Sequence, residues 1–220
     1  MDTVNTCLSG SQCQHVFVTT TQYHHGSLRA ALIDAGVQLA REGGPGAIVL
    51  REVARRIGVS PNAAYRHFTD LPELSDAVAD AGLAALAESM KSELAELQDD
   101  DPLSRLLAVG RGYVHFALAE PGLFAAAFSR AKDHLDPVLV TPDGQLTASG
   151  LLHDALDGLA AAGLLDPADR DGAITMAWAA VHGLSTLLLG PLGAVPPADR
   201  EPLIDATLAL VCRGLTAPAV

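Results

Sequence analysis

Within residues 51–69 the sequence REVARRIGVSPNAAYRHFT brings together side chains suited to one kind of partner. A guanidinium group pairs bidentately with guanine, so Arg51 and Arg66 are candidates to read bases. Asn62 carries the donor and acceptor that adenine requires, and the Ala63 methyl can touch a thymine methyl. The Tyr65 phenol, the His67 imidazole and the Thr69 hydroxyl can each donate to a phosphate, which positions a protein without reading sequence. Arg55 and Arg56 read as phosphate-steering or solvated residues. The plain alternative for any one exposed arginine is a solvated side chain. Their convergence on one short stretch favours nucleic-acid chemistry.

Such residues work only if a scaffold aims them. Val53, Ala54 and Ile57 recur at helical spacing and give a first short helix one buried stripe. Gly58 supplies the positive φ that a sharp turn needs. Ser60 is a good N-cap, and Pro61 sits where a missing N–H costs nothing. Val59, Ala64, Tyr65 and Phe68 can pack inward, with the Tyr65 hydroxyl at the edge. Ser60, Pro61, Asn62, Ala63, Arg66 and His67 then face out at the start of a second helix. Two short helices and a glycine turn in this order make a helix-turn-helix that lies in a DNA groove.

The stretches Arg51-Glu-Val-Ala, Gly58-Val-Ser and Tyr65-Arg-His-Phe68 resemble the DNA-binding domain of the TetR family of transcriptional regulators. Tyr23-His-His-Gly-Ser-Leu-Arg29 resembles the entry to that domain in one branch of the family. Trp178 with His182-Gly183 is similar to the WHG-type C-terminal domain of that branch. The resemblance covers roughly residues 23–215. It implies an all-α fold of about nine helices: a three-helix DNA-binding domain, then a helical domain that encloses an apolar ligand pocket and forms a dimer. It also implies phosphate contacts from Tyr65 and His67. Two positions depart from the pattern. Val49 stands where an N-capping Ser or Thr is usual, a loss of about 1 kcal/mol, and Leu71 stands where a phosphate-binding Lys is common.

The formal net charge of −12 is unusual for a DNA binder. Residues 24–70 hold six arginines against four acids, so this segment is +2 and the remainder −14. Salt screens charge over about 10 Å at 0.1 M, so a distant acidic body need not prevent docking. The chain is 49% hydrophobic but only 4% aromatic, which favours Ala- and Leu-packed helices over sheets. No run of about 18 uninterrupted apolar residues occurs, so no membrane span is expected. No basic segment followed by an apolar core opens the chain, so no secretory signal is expected. Cys7, Cys13 and Cys212 read as reduced thiols of a cytoplasmic protein. Cys7, Cys13 and His15 fit no closed zinc site, and His153 with Asp157, four apart, reads as a surface pair. No metal, cofactor or catalytic role is expected.

Residues 1–22 read as a flexible tail, residues 23–70 as the DNA-binding domain, and residues 71–220 as the ligand-binding and dimerisation domain. Helices are expected from Ser27, as N-cap, to Glu42, and from an Asp70 cap to about Leu97. Others are expected over about 102–119, 121–129, 145–162, 167–189 and 199–214. Residues 132–144 and Pro196-Pro197 read as loops. Tyr113, His115, Phe116, Phe124, Phe128, Met176, Trp178 and His182 are the candidate pocket residues, with plain core as the alternative reading. The last two helices carry small and aliphatic faces (Ala173, Ala177, Leu184, Leu208, Leu210) suited to a four-helix dimer contact. The expected function is a ligand-responsive repressor that binds a palindromic double-stranded DNA operator as a homodimer. The alternative is a helical small-molecule- or partner-binding protein with weakened DNA binding.

Overall fold

The helix starts follow from short polar side chains. The Ser60 hydroxyl accepts the Ala63 N–H at 3.2 Å, and the Asp70 carboxylate accepts the Glu73 N–H at 2.9 Å. Glu73 in turn accepts the Thr69 N–H at 2.7 Å, so that start is closed from both sides. Asp101 and Thr147 cap two further helices in the same way.

The computed structural model describes residues 25–129 and 139–216. Its elements are α1 (His25–Gly43), α2 (Leu50–Arg56), α3 (Pro61–Tyr65), α4 (Leu71–Ala95), α5 (Pro102–Ala119), α6 (Pro121–Ala127), α7 (Ala148–Ala161), α8 (Arg170–Leu189) and α9 (Pro197–Thr216). The protein is all-α, and the described residues form no strand. The tail expected over residues 1–22, with Cys7, Cys13 and His15, lies outside the described residues, as does most of the 132–144 loop.

Three boundaries differ from the sequence reading. Helical geometry runs back to His25, so Ser27 lies inside α1 and is not its N-cap. The α7 helix starts at Ala148 rather than near 145. Residues 141–145 instead form a turn closed by the Thr141 N–H to Gln145 O bond, and Thr147 makes the cap. Pro197 opens α9 instead of lying in the loop before it. A proline in a first helical turn gives up no hydrogen bond.

The head consists of α1–α3 and the start of α4. Leu32, Leu39, Val53, Ala64, Phe68 and Val78 fill its centre. Gly58 has φ 71°, which turns α2 into α3. Val49 sits at the N-cap of α2 and makes no capping bond. The core runs without a break along α4 into the body, where α4, α5, α7 and α8 surround Leu86, Tyr113, Leu156 and Ala177. A second cluster, Val114, Leu184, Leu188, Ile204 and Leu208, joins α5, α8 and α9.

Head and body also meet through α6. Gly122 lies so close to α1 that a Cβ there would drive into the Ala40 carbonyl oxygen. Beside it, the Arg41 Nε donates to both Glu120 carboxylate oxygens at 2.9 and 3.1 Å. On the other side of α6, Ala127 lies against Gly82 of α4.

Residues 167–189 are long and apolar enough, by length and composition, to cross a membrane, although polar residues interrupt the stretch. Within the fold Ala173, Ala177, Leu184 and Leu188 are buried against the core, whereas Met176, Trp178, Leu187 and Leu189 are exposed, and about a third of the apolar window is buried.

Candidate functional site

The outer face of the helix-turn-helix presents α3. Arg51, Asn62, Tyr65 and Arg66 are exposed; Ala63 and His67 are half-buried. Tyr65 is 50% exposed, which corrects the expectation that it packs inward. The core beneath α3 is closed by Ala64 and Phe68, both fully buried, and the phenol is left on the surface.

The six arginines of the head divide by partner. Arg55 is held by Glu52 at 2.7 Å, and Arg56 is bound by Glu42 and Glu52. Arg41 pairs with Glu120, and Arg29 lies 4.9 Å over the Phe68 ring. Hydrogen bonds from Arg56 and Arg55 hold the Glu42 and Glu52 carboxyls below their ordinary range. Arg51 and Arg66 make no ion pair among the described residues. Arg29, Arg51 and Arg66 are thus the head arginines without a carboxylate partner among the described residues; of these Arg51 lies on α2 and Arg66 closes α3.

In the body, a cavity of about 780 Å³ lies among α4, α5, α7, α8 and α9. Its surface is mostly apolar, with Leu, Ala, Val and Ile as the largest group and Tyr113, Phe128 and Trp178 as aromatic members. The Tyr113, Phe124, Phe128 and His182 rings form one cluster with centroids 4.9–6.3 Å apart. The Tyr113 hydroxyl stands 2.8 Å from His182 Nδ1, and burial pushes the phenol well above its ordinary pKa. The phenol keeps its proton and can donate it to the imidazole. Burial holds the His182 pKa below its ordinary value, which keeps Nδ1 free to accept.

The cavity takes fewer of the candidate residues than expected. Tyr113, Phe128 and Trp178 line it. Phe124 and His182 stand behind them and line a separate, smaller cleft beside α6. His115 turns away from the cavity. Its Nδ1 lies 2.8 Å from Glu93 on α4 and its Nε2 lies 3.1 Å from Glu201 on α9. Burial opposes its charge, but the hydrogen bonds and charges of both carboxylates outweigh this and raise its pKa. Phe116 is plain core, and Met176 is 43% exposed on the outer face of α8. Sequence reasoning missed Leu83, Ala84, Lys91, His153 and Cys212, which do line the cavity. His153 and Asp157 were readable only as a pair; Arg170 holds them both, at 3.4 Å from the His153 Nδ1 and in a bidentate pair with Asp157.

Two family models match this arrangement in order. Residues 32–78 match "Bacterial regulatory proteins, tetR family", and residues 106–211 match "Tetracyclin repressor-like, C-terminal domain". The chain belongs to the TetR family. It is a DNA-binding transcriptional regulator. It is similar to the uncharacterized HTH-type transcriptional regulator YobS of Bacillus subtilis, 27% identical over 108 residues, which is 49% of this chain and 55% of that protein. A second HTH-type regulator, from Haemophilus influenzae, is 47% identical over 57 residues, 25% of this chain and 28% of that one. The chain thus spans about half the length, or less, of the curated relatives it matches. Among solved structures it is similar to a protein of unknown function from Rhodococcus sp. RHA1. That match has a TM-score of 0.67 and 28% identity over 90% of this chain and all of that one. It shares its fold with a TetR variant from Acinetobacter baumannii AYE in complex with minocycline, at a TM-score of 0.61 and 22% identity over 88% and 98% of the two chains.

Proposed function

We propose that this regulator is a ligand-responsive repressor that binds a palindromic operator as a homodimer. The observation that carries the reading is that Arg51 on α2 and Arg66 at the end of α3 are exposed and make no ion pair among the described residues. Residues 23–70 act as the DNA-binding unit and residues 71–220 as the effector and dimer unit. Arg51, Asn62, Ala63 and Arg66 read bases. Tyr65, His67 and Thr69 position the backbone, together with the chain at Ser60 and Pro61. A single five-residue helix reads few bases, and a twofold dimer doubles the site read. The exposed Met176, Leu187 and Leu210 on α8 and α9 support a dimer through these helices.

The cavity supports an apolar effector. A ligand that favours one arrangement of the body shifts the population toward it. Its effect has two routes to the head: α4 itself, and α6, which brings Phe128 to the cavity wall and rests on α1 through Gly122 and the Arg41–Glu120 pair. The test is a gel shift on DNA upstream of the protein's own gene across a salt series, with the dimer weighed by sedimentation. Retardation that weakens steeply with salt, from a dimer, is the expected result. A monomer that retards nothing at low salt while still folded would sink the reading.

A further inference from the structure

His115 stands on α5 where α4 and α9 both reach it. Glu93 of α4 lies 2.8 Å from its Nδ1, and Glu201 of α9 lies 3.1 Å from its Nε2. A neutral imidazole carries one N–H, so it donates to one of these carboxylates and turns a lone pair toward the other. The imidazolium donates to both. Holding both carboxylates therefore requires the proton, and losing it breaks one of the two bonds. Glu93 is the nearer and less exposed partner, so the remaining N–H stays with it and Glu201 is released.

The charges that act on the ring are those of Glu93 and Glu201. The neighbouring groups are engaged elsewhere. Arg111, one turn earlier on α5, is bound to Asp205 of α9 at 2.8 Å. On α4, Lys91 is bound to Glu88. Of the other helices packed on α5, α6 holds no ionisable side chain. The α7 carboxylates Asp154 and Asp157 go to Arg105 and Arg170, and His182 of α8 goes to Tyr113.

Glu201 belongs to the first turn of α9, residues 197–201, where Ala198 and Asp199 are exposed. Pro202 follows at once. It has no N–H to give the Ala198 carbonyl, so this turn joins the rest of the helix with one backbone bond missing. Apolar anchoring is secure from Ile204, which is fully buried with Val114, Leu184 and Leu188. Arg200 donates to the Val195 and Gly193 carbonyls, which ties the turn to the α8–α9 connection and not to α5. Among the described residues, the bond that fastens this turn to α5 through a side chain is the one from Glu201 to His115.

We propose that His115 is a proton-operated latch on the first turn of α9: charged, it ties that turn to α5 and α4; uncharged, it frees the turn and loosens the dimer. The effect on the dimer rests on the reading of α8 and α9 as the contact between copies. Burial opposes the charge on His115, but both carboxylates outweigh it and raise the pKa above 6.5. The latch is thus closed below 6.5 and opens as pH rises through the raised value. The full-length protein, labelled with carbon-13 in its alanine methyls and histidine rings, is followed by NMR between about pH 6 and 9, and its dimer dissociation constant is measured by sedimentation over the same range. His115 titrates above 6.5, and the Ala198 methyl, ordered below that midpoint, becomes mobile above it. The dissociation constant rises about two- to five-fold, the scale of a partly exposed ion pair. His115→Arg is always charged and has donors for both carboxylates, so it keeps Ala198 ordered at every pH. Glu201→Ala leaves Ala198 mobile throughout and lowers the His115 midpoint. A His115 that titrates below 6.5, an Ala198 methyl equally ordered across the range, or an unchanged pH response in His115→Arg would overturn the proposal. An Ala198 that loosens with His115 while the dimer constant stands still, or while no dimer forms, would instead overturn the dimer contact assigned to α8 and α9 and leave the latch standing.

Discussion

In the head, the residues put forward for DNA lie within nineteen positions of one another, and Arg51, Asn62, Tyr65 and Arg66 are all on the surface. In the body, the cavity draws on residues from Asp80 to Cys212, and most of its surface is apolar. The head keeps its working groups by leaving them out of the local ion-pair network. The body keeps its working space by leaving atoms out of the core. The first is a matter of charge on a short helix, and its loss should spare the fold. The second is a matter of how five helices lean together, and there function and stability share the same residues.

The sharpest way to break this contrast is to find a head substitution that unfolds the protein, or a core substitution in the body that does not. Leu156→Ala, at a fully buried site on α7, should cost about 2–5 kcal/mol, or roughly 5–15 °C in Tm by calorimetry. Arg66→Ala should leave Tm unchanged. It should cost about 1–3 kcal/mol against one base pair of the operator, measured by competition between point-mutated operators. Arg55→Ala, which removes an exposed side chain and leaves Glu52 with Arg56, should do neither. Gly122→Val tests the join between the two regions. Crowding the Ala40 carbonyl should cost about 1–3 kcal/mol of stability and reduce coupling between effector and DNA, read by titrating operator with and without ligand. Tyr65→Phe should weaken all DNA sequences alike by about 1 kcal/mol. Unequal effects on operator and random DNA would reassign that phenol to base reading.

The smallest effect concerns pH. The folded state raises the His115 pKa, so the stability from its two carboxylate partners is complete below the ordinary value of 6.5 and is lost as pH rises through the raised value. Wild-type Tm should drift downward between about pH 6 and 8, and His115→Gln should flatten that drift. A drift that survives the substitution would assign it to other groups.

Legibility in the sequence followed the same division. Ser60, Asp70 and Gly58 act on the chain a few residues away, so the turn and caps of the head could be read from letters alone. Tyr65 could not, because α3 has only five residues and too few turns to fix which side faces in. The family motif placed the pocket in the body, but not its wall. His115 and Tyr113 are two apart on α5, and only the crossing of α4 and α9 decides that one meets carboxylates and the other the cavity. Met176 and Trp178 divide in the same way on α8. The start of α7 was misplaced because the 141–145 turn, closed by its own hydrogen bonds, stands in front of it.

The Tyr113–His182 hydrogen bond has a consequence for how this regulator can diverge. Tyr113 is buried, so replacing His182 alone strands its hydroxyl, at a cost of about 1–3 kcal/mol. Descendants of the protein should therefore hold these two together or exchange them together. The side chains around Lys91 and the 141–145 turn are more exposed, and they can drift singly. New effector specificities would then arise around that turn, while the Tyr113–His182 pair passes unchanged from one descendant to the next.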